Sequence, residues 1–213
     1  MFREMYPKPI QRLIELLSKL PGVGPRQAGR MVFFILRESN GYVTDLADAV
    51  NNLKRNVAAC KECFHFMEKD ESDLCEFCRN PKRDKTLISV VEKEADLANI
   101  EKTGGYHGLY HVLGGTFAPL DPDSPKKLRL EDFYSRIERH AKNGNTLEVI
   151  IATSQTTEGE ATARYLERML EPLAKRYPAL SVSRLGRGMS MGSEIEYADE
   201  TTLHEAFNHR IKL

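Results

Sequence analysis

Residues 60–78 of the 213-residue chain read CKECFHFMEKDESDLCEFC and contain all of its cysteines. Two pairs, each with a two-residue gap, lie eleven residues apart and consist of Cys60, Cys63, Cys75 and Cys78. A two-residue gap lets one tight turn aim both thiolates at a single metal ion, and two such turns complete a tetrahedral site. The spacing therefore predicts a structural zinc site that contributes folding free energy.

Other interpretations of these cysteines are weaker. A thioredoxin-like redox centre needs one C-x-x-C motif and leaves the second pair unexplained. A catalytic zinc keeps a position open for water, and nothing in the segment marks such a position. An iron site of the rubredoxin type stays open, although the glycines typical of those loops are absent. His65 is expected at the surface, because four thiolates suffice.

The two sides of this cysteine segment differ in apolar periodicity. Before it, apolar spacings of three and four predict helices over residues 10–20 and 25–37 and a third helix with Thr44 as its N-cap. After a polar stretch at 79–85, interpreted as a linker, β-rich runs alternate with helical patterns. Strands are predicted over 87–91, 109–113, 147–152 and 180–185, and helices over 92–100, 130–140 and 160–177. Strands separated by helices need crossover connections, which predicts a largely parallel sheet.

The turn of the all-helical head reads Leu20-Pro21-Gly22-Val23-Gly24-Pro25-Arg26. In this helix-hairpin-helix pattern, Gly22 and Gly24 permit a tight turn whose backbone approaches a partner closely. The next helix offers unpaired N–H groups and its positive dipole end to a phosphate, flanked by Arg26 and Arg30. The pattern predicts sequence-independent, salt-sensitive binding to the DNA backbone. The alternative is an ordinary helical corner with solvated arginines.

Composition limits the class of protein. Basic and acidic residues number 31 each, so the molecule is not a polycation, but residues 1–40 carry seven basic and three acidic side chains. Hydrophobic residues make up 41%, enough for a core and too many for a disordered chain. The longest apolar run, residues 31–36, is far shorter than the roughly 20 residues that span a membrane. Because no signal peptide is visible at the amino terminus, we expect a cytoplasmic protein without structural disulfides.

The motifs resemble, in kind and in order, those of one family, the bacterial recombination mediator RecR. Besides the hairpin and the cysteines, the similarity covers residues 90–92, 110–115, 119–121, 158–163 and 196–203. Two departures are visible. The loop between the cysteine pairs is a few residues longer than usual, and residues 122–125 lack an expected glycine.

The resemblance implies an α+β multidomain chain in four parts. These are a helix-hairpin-helix DNA-binding head (1–57), a four-cysteine zinc finger (58–85), an α/β Toprim domain with a parallel sheet (86–182) and a short C-terminal Walker-B-like segment (183–213). It also implies homo-oligomeric rings or clamps around DNA, and action with RecO and RecF to load recombinase at gapped DNA. Within the last segment, residues 195–199 are expected to pack against a neighbouring subunit.

Catalysis is the main alternative to a binding role, because Toprim enzymes cut or join phosphodiesters with a glutamate and an Asp-x-Asp pair that hold Mg²⁺. Glu92 matches the glutamate, but Thr153-Ser154-Gln155 stands where the aspartates are expected. Mg²⁺ prefers anionic oxygen ligands, so a neutral stretch argues against a Toprim-type nuclease or topoisomerase-like enzyme. ATP hydrolysis is also disfavoured, because no phosphate-binding P-loop motif is present.

Four carboxylates are expected near the carboxyl ends of the strands: Glu92, Asp96, Glu158 and Glu160. Asp96 follows Glu92 by one helical turn, which predicts a shared acidic patch that docks a basic partner such as RecO, or binds Mg²⁺ weakly. The alternative is a set of solvated carboxylates at helix starts. His107 and His111 are four residues apart, but we expect them to lie in or beside the core and not to bind a metal.

Overall fold

The computed structural model describes residues 6–118, 123–144 and 146–210. The chain forms two compact units, Met1–Val57 and Ala58–Leu213. The first unit contains helices α1 (Lys8–Leu17), α2 (Pro25–Ile35) and α3 (Asn40–Asn56). Pro25 occupies the first turn of α2, where its missing N–H costs nothing, and α2 buries Ala28 and Val32.

The start of α3 differs from the prediction that Thr44 is its N-cap. Ser39 caps the helix, because its hydroxyl accepts a hydrogen bond from the amide of Tyr42 at 3.2 Å. Thr44 lies inside α3 and donates its hydroxyl to the carbonyl of Asn40 at 2.9 Å. Gly41 lowers the local helix propensity, and the apolar periodicity therefore does not indicate this first turn. The serine cap nevertheless stabilises it.

The second unit is built on a four-stranded sheet in the order β4-β3-β5-β6, with every pair parallel. Its strands are β3 (Asp84–Val91), β4 (Gly108–Val112), β5 (Leu147–Ala152) and β6 (Leu180–Arg184). The crossovers contain α5 (Glu94–Lys102), α6 (Leu130–Lys142) and α7 (Thr157–Arg176). The predicted α/β body with a parallel sheet is therefore confirmed.

Shorter elements flank this sheet. The cysteine segment contributes the two-stranded pair β1 (Val57–Ala59) and β2 (Phe66–Glu68) and the short helix α4 (Glu76–Arg79). After the sheet, a 3-10 turn at Ile195–Tyr197 precedes α8 (Glu200–Asn208). The polar stretch 79–85 is not all linker, since α4 ends at Arg79 and β3 begins at Asp84. The first three residues of β3 are exposed, which explains their polar composition.

Side chains alternate across the strands and divide the core into two faces. One face packs Ile88 and Val90 of β3 with apolar residues of α6 and α7, including Phe133 and Leu166. The other face buries Val91, and Leu97 of α5, with the half-buried Phe77 of α4 beside them. The cysteine segment thus packs against the same sheet as the crossover helices.

Capping hydrogen bonds determine where the helices of this unit begin. The helix predicted over 92–100 begins at Glu94, because Asp96 accepts a hydrogen bond from the amide of Lys93 and closes a capping box. The helix predicted over 160–177 begins at Thr157, because the side chain of Thr156 accepts from the amide of Gly159. Glu92 therefore lies before α5, and Asp96 is not one turn from it on a shared helix.

Candidate functional site

The four predicted metal ligands converge. The sulfur atoms of Cys60, Cys63, Cys75 and Cys78 all lie within 4.8 Å of one another. Three of these side chains are fully buried, and Cys78 is half-buried. The geometry forms a candidate metal centre with four soft sulfur donors.

Each cysteine pair lies on its own tight turn. After the first pair, Phe64 adopts a left-handed backbone with φ of 63°, and the chain turns back so that the Cys60 amide donates to the His65 carbonyl at 2.8 Å. In the second pair, Cys75 is the N-cap of α4, and its amide donates to the Cys60 sulfur at 3.3 Å. An amide aimed at a sulfur is a donor that stabilises a thiolate.

The acid–base chemistry of the cluster suits a cation. A hydrogen bond with Cys63 lowers the pKa of Cys60, and the same contact raises the pKa of Cys63. Four thiolates this close would repel one another. A divalent cation removes that repulsion, so the donor set fits a bound metal.

A half-buried carboxylate paired with a buried arginine ties this centre to the sheet domain. Glu62, between the first two cysteines, accepts from Arg139 at 2.8 Å and lies 3.4 Å from Arg136. Arg136 on α6 is 2% exposed and donates to the carbonyl of Tyr110 on β4 at 2.5 Å. Sequence reasoning missed Arg136, although a charged residue within the apolar stripe of α6 is a visible signal.

His65 forms a second link between the centre and the sheet domain, and it is half-buried and not at the surface as predicted. Its Nδ1 lies 2.5 Å from Glu94 of α5, and the other oxygen of that carboxylate accepts from the amide of Phe66 at 3.0 Å. The hydrogen bond with Glu94 raises the pKa of His65. The ring also packs against Phe77, with centroids 5.2 Å apart.

The two glycines of the hairpin in the head have different backbone conformations. Gly22 has a φ of +75°, a conformation that side chains other than glycine rarely adopt. Gly24 is the extended N-cap of α2, with no side-chain cap and open space where a Cβ would be. Gly24 thus leaves the start of α2 open to a close partner. Arg26 and Arg30 are exposed on α2, one turn apart.

The predicted Toprim glutamate is buried and hydrogen-bonded. Glu92 is 4% exposed, and its two oxygens accept from the amide and the hydroxyl of Ser154 at 2.8 and 2.9 Å. Gly159 packs so tightly here that a Cβ would lie 2.0 Å from the Ser154 carbonyl oxygen. Ser154, within the neutral stretch noted in the sequence, is therefore the partner of the glutamate.

The other three predicted carboxylates have different environments. Asp96 caps α5, Glu158 is exposed in the first turn of α7, and Glu160 forms ion pairs with Arg184 at 3.2 Å and with Arg187. The hydrogen bond from Arg187 lowers the pKa of Glu160. Glu92 is therefore buried and Glu160 is neutralised by its arginine partners, whereas Glu158 stays exposed.

The two histidines of the pair lie in different environments. His111 is fully buried, and its Nε2 lies 3.3 Å from the carbonyl oxygen of Arg129, whereas His107 is exposed. Burial lowers the pKa of His111 to about 3, so it is neutral in the core. The predicted motif at 119–121, and residue 122 of the loop that lacks a glycine, lie outside the described residues.

Comparison with known proteins agrees with this architecture. Family models match for the Toprim domain over residues 86–185, for the RecR helix-hairpin-helix over 10–54 and for the RecR C-terminal region over 188–211. Recombination protein RecR of Cutibacterium acnes is 42% identical over 207 residues, covering 97% of each chain. The chain belongs to the RecR family. The RecR protein of Acidobacterium capsulatum is 43% identical over 98% of each chain, and that of Lactococcus lactis subsp. cremoris is 41% identical over 98% of this chain and 99% of its own.

Family membership confirms the predicted RecR-type combination of a helix-hairpin-helix, a four-cysteine cluster and a Toprim domain. Within the described part of this RecR chain, no helix is both long and apolar enough to cross a membrane. Two further residues that sequence reasoning missed are Arg184 and Arg187, the partners of Glu160. Arg184 is the last residue of β6 and Arg187 follows the strand, so no local sequence pattern connects either of them to α7.

Proposed function

We propose that this chain is a non-enzymatic DNA-binding mediator of recombinational DNA repair. The observation that carries this proposal is the open start of α2, where an uncapped helix N-terminus and two exposed arginines follow the hairpin. Backbone amides, the helix dipole and two cations together suit a phosphate, and none of them reads a base. We propose Gly22, Gly24, Arg26 and Arg30 as the DNA contacts.

Salt dependence tests this interface. Replacing Arg26 and Arg30 with alanine removes two phosphate contacts, so the slope of log affinity against log salt on duplex DNA should fall by about 1.8. Arg37→Ala is the matched control, because Arg37 is exposed just beyond the other end of α2. The loss should be equal for unrelated DNA sequences. An unchanged slope in the double variant would remove these arginines from the interface.

The absence of catalysis rests on the hydrogen bonds of Glu92. Both of its oxygens accept from Ser154, and a metal-dependent phosphoryl transfer needs carboxylates that are free to bind Mg²⁺. The alternative is a Toprim-type nuclease or topoisomerase-like enzyme. Incubating the protein with nicked and gapped DNA and Mg²⁺ separates the two, since turnover that Glu92→Gln abolishes would establish the enzyme.

We propose zinc as the metal of the four-cysteine cluster, one ion per chain. Its ligands would be Cys60, Cys63, Cys75 and Cys78, and when bound it would contribute folding free energy to the segment that packs on the sheet. Four thiolates leave no open position for water, which favours a structural site. Elemental analysis of purified protein tests the assignment, and iron in place of zinc would correct it.

Family membership supports a proposal about partners. We propose that the protein assembles as a homo-oligomeric ring or clamp and acts with RecO and RecF to load recombinase at gapped DNA in the cytoplasm. We also propose the four-part division at residues 57, 85 and 182. Solution mass with and without gapped DNA tests the assembly.

Of the four predicted carboxylates, we retain Glu158 as a RecO contact because it is exposed, and Glu158→Ala should weaken RecO binding while DNA binding survives.

A further inference from the structure

A cleft of about 550 Å³ runs along the exposed side of the first half of α7. Its walls include Arg164 and Arg168, the aromatic residues Phe117 and Tyr165, and Glu160. The cleft lies in the second unit, away in sequence from the hairpin of the head. It contains none of the predicted metal ligands.

The cleft carries net positive charge. Arg164 and Arg168 are exposed and one helical turn apart, and within the described ranges no ion pair involves either of them. The other cations of α7 differ, since Lys175 pairs with Glu171 and Arg176 with Glu138. Two guanidinium groups without carboxylate partners on one helix face favour an anionic ligand.

The carboxylate within the cleft does not oppose an anion. Glu160 already forms ion pairs with Arg184 and Arg187, whose two positive charges exceed its single negative one. Arg184 is in turn 2.5 Å from Glu167. The two carboxylates and the two guanidinium groups beside the cleft therefore balance in charge. The arginines that face the cleft are therefore left to bind a ligand.

A flat aromatic surface lines the same cleft as these cations. The rings of Phe117 and Tyr165 are stacked, with centroids 5.0 Å apart and an interplanar angle of 29°. The Phe117 amide donates to the hydroxyl of the buried Thr162 at 2.7 Å, which fixes the position of the pair. An inorganic anion gains nothing from an aromatic surface, whereas a nucleotide offers both a phosphate and a base that can stack.

We propose that this cleft binds single-stranded nucleic acid, with phosphates on Arg164 and Arg168 and a base stacked on Tyr165. Duplex DNA is a poor ligand, because its bases are already stacked on one another and unavailable to a side chain. The proposal rests on the proposed DNA-binding function but assigns a second contact, specific for unpaired strands. Such a contact suits a protein that must recognise a gap as well as the duplex beside it.

A tryptophan reporter tests the stacking directly. The chain contains no tryptophan, so Tyr165→Trp introduces a single emitting indole in the cleft. Oligo(dT) should quench its emission, and a duplex of equal length should not. In the native background, Tyr165→Ala should weaken oligo(dT) binding by about 5- to 150-fold, the range measured for loss of one stacked base.

Charge variants complete the experiment. Replacing Arg164 and Arg168 with alanine should lower the salt slope on labelled oligo(dT) by about 1.4, at about 0.7 for each phosphate contact with a single strand. Lys175→Ala with Arg176→Ala is the control on the same helix and should leave the slope unchanged. All four side chains are exposed or ion-paired at the surface, so the variants should have the same melting temperature as the native protein.

The head variant distinguishes the two interfaces. Arg26→Ala with Arg30→Ala should weaken duplex binding and leave the quench by oligo(dT) in place. If that variant kept full duplex binding while the cleft variants lost oligo(dT), the head interface would be wrong and this inference right. An unquenched reporter together with unchanged salt slopes would overturn the inference, as would equal quenching by polyglutamate, which would assign the cleft to an acidic protein.

Discussion

The most informative single substitution is Arg136→Met, which removes a buried charge and keeps much of the side-chain volume. Arg136 is 2% exposed and joins α6, the edge strand β4 and the cysteine segment through Tyr110 and Glu62. Breaking a buried pair from one side costs about 3–5 kcal/mol, chiefly because a polar group is left without its partner. Glu62 is 34% exposed and stays hydrated, so we expect the lower end, about 3 kcal/mol.

Thermal unfolding of the metal-loaded protein measures this effect. A chain of this size loses about 2–4 °C in Tm for each kcal/mol, so Arg136→Met should lower Tm by about 6–12 °C. The variant should also release metal faster to a chromophoric chelator, since the turn that carries Cys60 and Cys63 loses an anchor. Arg136→Lys, which keeps the charge, should recover part of both effects.

Arg139 supplies the matched control because it binds the same carboxylate from the surface. Its side chain is 58% exposed, and exposed ion pairs contribute about 0–1 kcal/mol. Arg139→Met should therefore change Tm by at most about 2–4 °C. Equal Tm and equal metal release in the Arg136→Met and Arg139→Met variants would refute the reasoning, because burial would then have no effect on the strength of the pair.

Three further outcomes are expected. Cys75→Ala removes one of the four proposed zinc ligands, so elemental analysis of the purified variant should find no zinc, and the variant should unfold at a lower temperature. Gly159→Ala places a methyl group against the backbone of Ser154 and should destabilise the protein in urea, whereas Gly105→Ala, whose nearest neighbour is a side-chain oxygen at 3.7 Å, should not. Because the pKa of His111 falls to about 3 on folding, the unfolded chain binds the extra proton, and stability present above pH 6.5 is lost as the pH falls towards 3. Between pH 7.5 and 5.5 the loss is about 1.4 kcal/mol, and in His111→Gln the Tm should depend less on pH over that range.

Regular elements with strong apolar patterns could be predicted from the sequence almost to the residue. The sequence predicts strand β5 over 147–152 and the structure has it as Leu147–Ala152, because a run that is apolar except for Glu148 fits a parallel sheet covered on both faces. Helix starts were less predictable. At α3 and α7 they depend on the side chains of Ser39 and Thr156, whose capping bonds are local geometry and not periodicity.

The sites show the same division. The four-cysteine cluster was predictable because all four residues lie within one short segment with a recognisable spacing. The environments of Glu92 and Glu160 were not predictable, because each depends on residues far along the chain. Glu92 is paired with Ser154, and Glu160 with Arg184, contacts that form only once β3, β5 and β6 lie side by side.

The cysteine segment also covers part of the edge strand of the sheet. Strand β4 is at the edge, and the amide of its last residue, Val112, donates to the carbonyl of Cys63 at 2.8 Å. An uncovered edge strand is a template on which a second chain can add by β-pairing. Loss of the metal would free the Cys63 turn and open this edge. Metal starvation or thiol oxidation would then cause the protein to aggregate edge to edge, and the proposed ion would serve as much to keep separate molecules apart as to hold one molecule together.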